Sequence, residues 1–330
     1  MIITKTPFRM SFLGGGTDIA DFYKLYGGAV LSTTFDKYCY VTVRHLPRFF
    51  DYSNEFVYAA TERVNILDDI KHPLIKNIMK YLDMREIRLS YDADLPARSG
   101  LGTSSSFAVG MLNAFYALKG KRADKSQLAD EAIYLERVLC KEAGGIQDQI
   151  AASFGGFNRI DMTKEGYTVS PVTISNQRKN ELNDNLMLFF TGFTRFSADI
   201  QKKTEQSIEE KTVQLLEMKH LVYEAENILV SKTDMNEFGK LLDYSWKLKR
   251  GLSDGISTSA IDDIYSAAIN AGALGGKLLG AGGGGFLLFY VEKDKQKHVM
   301  QAMSNLLFVP FKFETGGSRV IYYKAEDYEV

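Results

Sequence analysis

The chain has 330 residues, 45% hydrophobic and 25% charged, enough to bury a full core without disulfide or metal staples. Forty Lys and Arg against 41 Asp and Glu leave a net charge of −1, which argues against a nucleic-acid protein, whose phosphate contacts need a basic surplus. Two distant Cys and four scattered His match no disulfide framework and no zinc spacing, and the most apolar stretch, 278–291, is shorter than the roughly 20 residues of a membrane span. The N-terminus lacks a signal-peptide layout, so the expectation is a soluble, cytoplasmic protein that binds small molecules, with no nucleic acid and no membrane partner, as a monomer or homodimer. The length predicts two domains or one large one. The one odd entry is 28 Gly beside only 6 Pro, which makes the placement of the Gly informative.

In chain order, a strand-like run through Pro7 and Arg9 ends in Gly14-Gly15-Gly16-Thr17-Asp18. Residues 28–45 are rich in β-branched and aromatic side chains and read as a strand or hairpin, and 87–95 alternate as a further strand. Residues 103–119 switch to helical spacing, with Phe107, Met111 and Phe115 on one face. A second helix is predicted over 124–143, capped by Asp124 or Ser126, lined by Leu128, Leu135 and Leu139, and stopped by Gly144-Gly145. Residues 186–193 read as a buried strand, and helices are predicted over 197–230, 235–250 and 259–271. Two strands flank a Gly turn at 277–280 and 285–292, followed by a helix near 293–305 and a closing hairpin, FKFETGGSRVIYY. The polar stretch 175–185 reads as the connection between domains 1–180 and 181–330. Neither half has a βαβ rhythm, so the class is α+β.

Four segments could carry chemistry. Consecutive Gly at 14–16 would let backbone approach a ligand, and Asp18 could accept two hydroxyl hydrogen bonds; a hairpin turn with a capping Asp is the other reading. Gly100-Leu101-Gly102-Thr103-Ser104-Ser105-Ser106 opens an apolar helix, where unpaired N–H groups and the helix dipole make an anion site. Four hydroxyls in a row exceed what one N-cap needs. Gly275 to Gly285 holds seven Gly in eleven positions and formally contains GxGxxG, but a strand follows instead of a helix, which excludes a dinucleotide fingerprint. That density points to close backbone approach, to a ligand or to the first Gly-rich loop. Glu136 and Asp148, on either side of Gly144-Gly145, are each a candidate site carboxylate or a solvated surface group. No Walker A sequence is present around Lys277.

Taken in order, three of these segments resemble the motifs of the GHMP small-molecule kinases (galactokinase, homoserine kinase, mevalonate kinase and phosphomevalonate kinase). Pro7 to Asp18 is similar to the first motif, Pro96 to Ser104 to the phosphate loop PxxxGLGSS, and Gly280 to Gly285 to GAGxGG. The resemblance implies a two-domain fold, ribosomal-S5-domain-2-like then ferredoxin-like, with the active site in the cleft. It implies that Gly100, Leu101, Gly102, Thr103, Ser104 and Ser105 line the ATP phosphates, that Ser104 and Glu136 hold Mg²⁺, and that Asp148, paired with Arg9, takes the proton of the attacking hydroxyl. Gly-Gly-Gly-Thr-Asp at 14–18 and the stretch Trp246 to Ser253 look like the branch acting on heptose 7-phosphate at the anomeric position. Fucokinase shares the Gly-rich form, and galactokinase carries Gly-Glu-His-Thr-Asp instead. The implied activity is ATP-dependent phosphorylation of D-glycero-D-manno-heptose 7-phosphate to the 1,7-bisphosphate, for nucleotide-activated heptose. The implied substrate contacts are Gly14, Gly15, Gly16, Thr17, Asp18, Gly282 and Gly283, with Arg195, Lys249 and Arg250 as candidates for the sugar's own phosphate. The alternatives are another sugar 1-kinase, fucokinase- or galactokinase-like, or a non-catalytic sugar and ATP sensor on the same fold.

Overall fold

The structure is a computed structural model that describes residues 1–97, 99–192, 205, 208 and 210–325. Arg195 lies outside the described residues. Strands β1 (Ile2–Leu13) and β2 (Gly28–His45) pair antiparallel along most of their length and form the spine of a nine-stranded sheet. The β-branched and aromatic run that could have been a hairpin is therefore one continuous strand, and the short helix α1 (Ala20–Tyr26) lies between the two. The hairpin β3 (Asn54–Val57) and β4 (Thr61–Val64) joins the sheet through β5 (Ile87–Ala93), after helix α2 (Pro73–Tyr81). On the other side, β6 (Phe157–Thr163) pairs with β2 and with β7 (Gly166–Pro171).

Helix α3 (Thr103–Leu118) packs across β1 and β2 with nearly every side chain buried, Phe107, Met111 and Phe115 among them. An all-round apolar sequence suits a helix enclosed by sheet on one side and helices on the others. Helix α4 (Lys125–Ile133) is capped by Asp124, whose carboxylate accepts from the Gln127 N–H at 2.8 Å. The predicted helix to 143 does not run through: Tyr134–Leu139 is a π-helical turn, with the Cys140 N–H donating to the Leu135 carbonyl at 2.8 Å. The wider turn advances the side chains by a different angle, so Leu128 and Leu135 remain buried while Leu139 turns outward. Helix α5 (Gln147–Phe154) follows.

Residues 175–185, read from sequence as a polar connection, are mostly helix: α6 (Asn176–Asn185) is capped by the Ser175 hydroxyl. The chain then enters a second, four-stranded antiparallel sheet, ordered β11, β8, β10, β9, from β8 (Leu186–Phe190), β9 (Ala273–Leu278), β10 (Phe286–Val291) and β11 (Leu307–Phe308). Helices α7 (Thr212–Val230), α8 (Asn236–Arg250), α9 (Ser259–Asn270) and α10 (Gln296–Ala302) accompany it. The closing residues do not form the predicted hairpin. Strand β12 (Phe313–Glu314) pairs with β2 and β13 (Arg319–Tyr323) with β1, so the C-terminus returns to the first sheet. Local sequence specifies two short strands and a turn, whereas their partners are set by the exposed edges the fold offers.

The two sheets share one apolar seam. Phe8, Met10 and Phe12 of β1 belong to the same buried cluster as Leu221, Val222 and Ala225 of α7, Phe238 and Leu242 of α8, and Phe286 and Leu288 of β10. Helix α8 sits close on β9, because a Cβ on Gly275 would stand 2.0 Å from the Gly239 carbonyl oxygen. That contact fixes the direction in which the last turn of α8 points.

Candidate active site

The site is assembled around the first turns of two helices. Helix α3 begins at Gly102, in a left-handed conformation that leaves the N–H groups of its first turn without a side-chain cap. Such an end is an anion cradle. The loop is held from below: the Arg9 N–H donates to the Leu101 carbonyl at 3.2 Å, and the Arg9 Nη1 donates to the Gly100 carbonyl at 2.7 Å. Leu101 is fully buried and serves as the loop's anchor in the core. A Cβ on Gly100 would stand 2.4 Å from the Leu279 carbonyl oxygen, so only Gly allows this loop to lie against the chain at 279–280. The third Gly-rich segment therefore approaches the loop at 100, not the one at 14–16.

Helix α5 enters the site end-on, and three consecutive residues each reach a different partner. Gln147 donates through Nε2 to Asp18 at 3.0 Å. Asp148 receives Arg9 as a two-pronged pair, Nε to Oδ1 at 2.7 Å and Nη2 to Oδ2 at 2.8 Å. Gln149 donates to Glu136. Successive residues of a helix stand about 100° apart, so only an embedded helix end can use three in a row. Asp148 also lies against the phosphate-loop candidate: a Cβ on Gly102 would stand 3.3 Å from its Oδ2. The two-pronged pairing fixes the orientation of the carboxylate.

Asp18 is buried and accepts from the Gly16 N–H at 3.0 Å and the Gln147 N–H at 3.3 Å. It therefore satisfies the uncapped N-terminus of α5 while facing the cavity. Gly145 makes room for it, since a Cβ there would overlap the carboxylate at 1.8 Å. Glu136 is presented by the π-helical turn and accepts from the Ser104 hydroxyl at 3.0 Å and the Ser105 hydroxyl at 2.7 Å.

The cavity in front of these groups is lined by Arg9, Gly15, Gly16, Asp18, Asp148 and, from the second half of the chain, Lys249, Lys277 and Gly280. The first half contributes the carboxylates and the second half the ammonium groups. Lys249, in the last turn of α8, donates to the Gly280 carbonyl; Lys277 on β9 donates to the Phe12 carbonyl at 2.7 Å. Burial pushes the Lys249 ammonium down to about 8, with Arg9 acting in the same direction and Asp18 and Asp148 opposing. Lys277 lies well below the usual lysine range, through burial first and then the nearby Lys249 and Arg9 charges.

Models of the GHMP kinase N-terminal and C-terminal domains match residues 70–156 and 225–307. The chain belongs to the GHMP kinase family. A D-glycero-alpha-D-manno-heptose 7-phosphate kinase of Campylobacter jejuni is 32% identical over 315 residues, covering 92% of this chain and 93% of the relative. An L-fucokinase/L-fucose-1-P guanylyltransferase of Bacteroides fragilis is 32% identical over 64% of this chain, which is 23% of that larger protein. Among solved structures, a D-glycero-D-manno-heptose 1-phosphate kinase from Bacteroides thetaiotaomicron superposes with a TM-score of 0.79 at 25% identity, covering 98% of this chain and 100% of that one. As a GHMP kinase the protein is an ATP-dependent phosphotransferase with the α+β fold of that family.

Within this GHMP kinase the structure brings together most of the residues singled out from sequence, and separates a few. Gly15 and Gly16 line the cavity, but Gly14 packs on the Ala29 carbonyl. Thr17 is fully buried, its hydroxyl donating to the Gly14 and Ala29 carbonyls at 2.8 Å each, so it braces the loop and does not face a ligand. Gly282 and Gly283 pack against the backbone of Ile256 outside the cavity lining. Arg250 points away from the cavity lining and pairs with Asp262 at 2.7 Å. Thr103 and Ser105 are buried at the helix start, and Ser104 is exposed. Three contributors carried no signal of their own in the sequence: Gln147, Gln149 and Lys277. The two Gln flank Asp148, and their alternation around it was the available clue. Lys277 sits in a Gly- and Leu-rich run that reads as plain strand.

Proposed function

We propose that this GHMP kinase transfers the γ-phosphoryl group of ATP to the anomeric hydroxyl of D-glycero-D-manno-heptose 7-phosphate, giving the 1,7-bisphosphate for nucleotide-activated heptose. The observation that carries a phosphoryl transfer at this place is the packing of Asp148 against Gly102, the start of the anion cradle, with Arg9 joining Asp148 to the Gly100 carbonyl of the same loop. The full-length likeness to a heptose 7-phosphate kinase supports the choice of sugar. The carboxylate of Asp18 and the amide of Gln147 suit sugar hydroxyls, and the buried lysines suit an anionic acceptor.

In this reading the N–H groups of residues 102–105 and the hydroxyls of Thr103 and Ser104 bind the nucleotide's phosphates. Asp148 accepts the proton of the anomeric hydroxyl as its oxygen bonds to the γ-phosphorus and the bond to the ADP oxygen breaks. Arg9 keeps Asp148 oriented and offsets charge on the transferring group. Ser104 and the buried Glu136 pair one hydroxyl with one carboxylate beside the cradle, an oxygen donor set that would suit Mg²⁺. A Mg²⁺ held by these two residues would supply positive charge to offset that of the nucleotide's phosphates.

The test is ADP release over a panel of heptose 7-phosphate, heptose 1-phosphate, unphosphorylated heptose, fucose and galactose, with the product phosphate located by ³¹P NMR. The expected result is a kcat/KM for heptose 7-phosphate about 100-fold above every other sugar, with the new phosphate on the anomeric carbon. Preference for fucose or galactose, or a product phosphorylated elsewhere, refutes the assignment.

A further inference from the structure

We infer that Lys249 and Lys277 together form the receptor for the phosphate that the sugar substrate already carries, and so set the preference for a phosphorylated acceptor. The inference rests on the sugar-phosphate reading above and names residues for it.

The cavity lining holds four cations, Arg9, Arg137, Lys249 and Lys277. Arg9 is engaged with both oxygens of Asp148 and with the Gly100 carbonyl. Arg137 donates to the Glu142, Ala143 and Gly145 carbonyls and holds that loop. The two lysines differ. Each ammonium has three N–H donors and, among the described residues, makes one hydrogen bond, to a backbone carbonyl. Among the described residues neither has a carboxylate within ion-pair distance, although Lys249 is 8% and Lys277 3% exposed. Arg250, the neighbouring candidate, lies outside this cavity lining and pairs through Nη1 with Asp262.

Two neighbouring buried ammonium groups repel each other and are costly to desolvate, and the Asp18 and Asp148 carboxylates across the cavity offset this only in part. A dianionic phosphate removes both costs, because it supplies the counter-charge and three oxygens to the unused donors. The nucleotide does not need them, since its phosphates have the α3 cradle and the hydroxyls of Thr103 and Ser104. The lysines are also held in place rather than free to swing: α8 is locked on β9 by the Gly239–Gly275 contact, and Lys277 is part of β9 itself. Their direction therefore comes from the second sheet, whereas Asp18 and Asp148 come from the first. A ligand with hydroxyls at one end and a phosphate at the other matches that division.

Lys277→Met and Lys249→Met keep side-chain length and remove the charge, so both variants are expected to fold. With heptose 7-phosphate, each is expected to lower kcat/KM about 100-fold, mainly through KM, while unphosphorylated heptose loses less than about threefold. Equal losses on both sugars would assign the lysines to the transferring phosphoryl group and overturn the inference. A second measurement does not depend on turnover. With the enzyme saturated by a non-hydrolysable ATP analogue, inorganic phosphate is titrated while thermal unfolding is followed. Wild-type protein is expected to be stabilised and both variants not. Absence of stabilisation in the wild type refutes the receptor whatever the acceptor is. Stabilisation together with turnover of a different sugar phosphate leaves the receptor standing and removes only the heptose assignment.

Discussion

Replacing Lys249 by Met should make the protein more stable while disabling it, and the size of the gain follows from the site. An ordinary lysine ionises near 10.5, and burial in the cavity wall brings Lys249 to about 8. At about 1.4 kcal/mol per tenfold change, carrying that charge costs the folded state about 3 kcal/mol near pH 7. The Gly280 carbonyl loses its donor in the variant, which offsets about 1 kcal/mol, so the net gain is about 2 kcal/mol. The sign with pH is set by the depressed value. Below pH 8 the amine is charged in both folded and unfolded chains, and the full penalty is present. Between 8 and 10.5 the folded protein releases its proton first, so wild-type stability climbs and the advantage of the variant shrinks to nothing by about pH 10. Arg9 acts with burial, Asp18 and Asp148 against it, and Lys277 faces the same group. Urea unfolding of both proteins at several pH values between 7 and 10 measures this. A variant that is less stable near pH 7, or a gain that does not change with pH, refutes the argument that an unpaired buried charge is the source.

Asp148→Asn keeps the shape and one contact with Arg9 but cannot take a proton, so kcat should fall about 10²–10⁴-fold, with KM for ATP changed less than about twofold; steady-state kinetics with both substrates checks it, and undiminished turnover would remove Asp148 as the base. Gly280→Ala would place a Cβ 2.4 Å from the Gly100 Cα at a φ of +81°, where backbone faces backbone and neither side can yield. That variant should lose about 2 kcal/mol or more of stability and raise KM for ATP, because the cradle shifts with Gly100; urea unfolding and ATP kinetics that match the wild type would show that the two Gly-rich segments do not support each other.

Elements with a strong local signal were legible from sequence. The Gly-Leu-Gly-Thr-Ser run opens α3 as its composition required, because Gly supplies the left-handed entry and apolar side chains continue the helix. Asp124 caps α4, and β9 and β10 flank the Gly turn as read. The failures have a common cause. Residues 176–185 are too polar to suggest burial, yet a Ser cap suffices to start a helix whose Leu182 reaches the shared core. The end of the 124–143 helix depends on a π turn that accommodates Glu136 beside the Ser104 and Ser105 hydroxyls, a long-range constraint with no local mark. The closing strands were identified as strands, but their pairing with β1 and β2 joins residues about 300 positions apart in the first case.

By itself, then, the sequence determined the family, through three ordered Gly-rich motifs, and named Asp18, Glu136 and Asp148 as candidate carboxylates without deciding them against capping or solvated surface groups. Only the tertiary structure decided which groups meet. It placed Arg9 on both oxygens of Asp148, took Thr17, Gly282, Gly283 and Arg250 out of the cavity wall, and brought Lys277 into it. A lysine's meaning depends on what surrounds its ammonium. In an exposed strand Lys277 would be a solvated charge; behind β1 its amine is buried, donates to the Phe12 carbonyl, and faces the same cavity as Asp18 and Asp148.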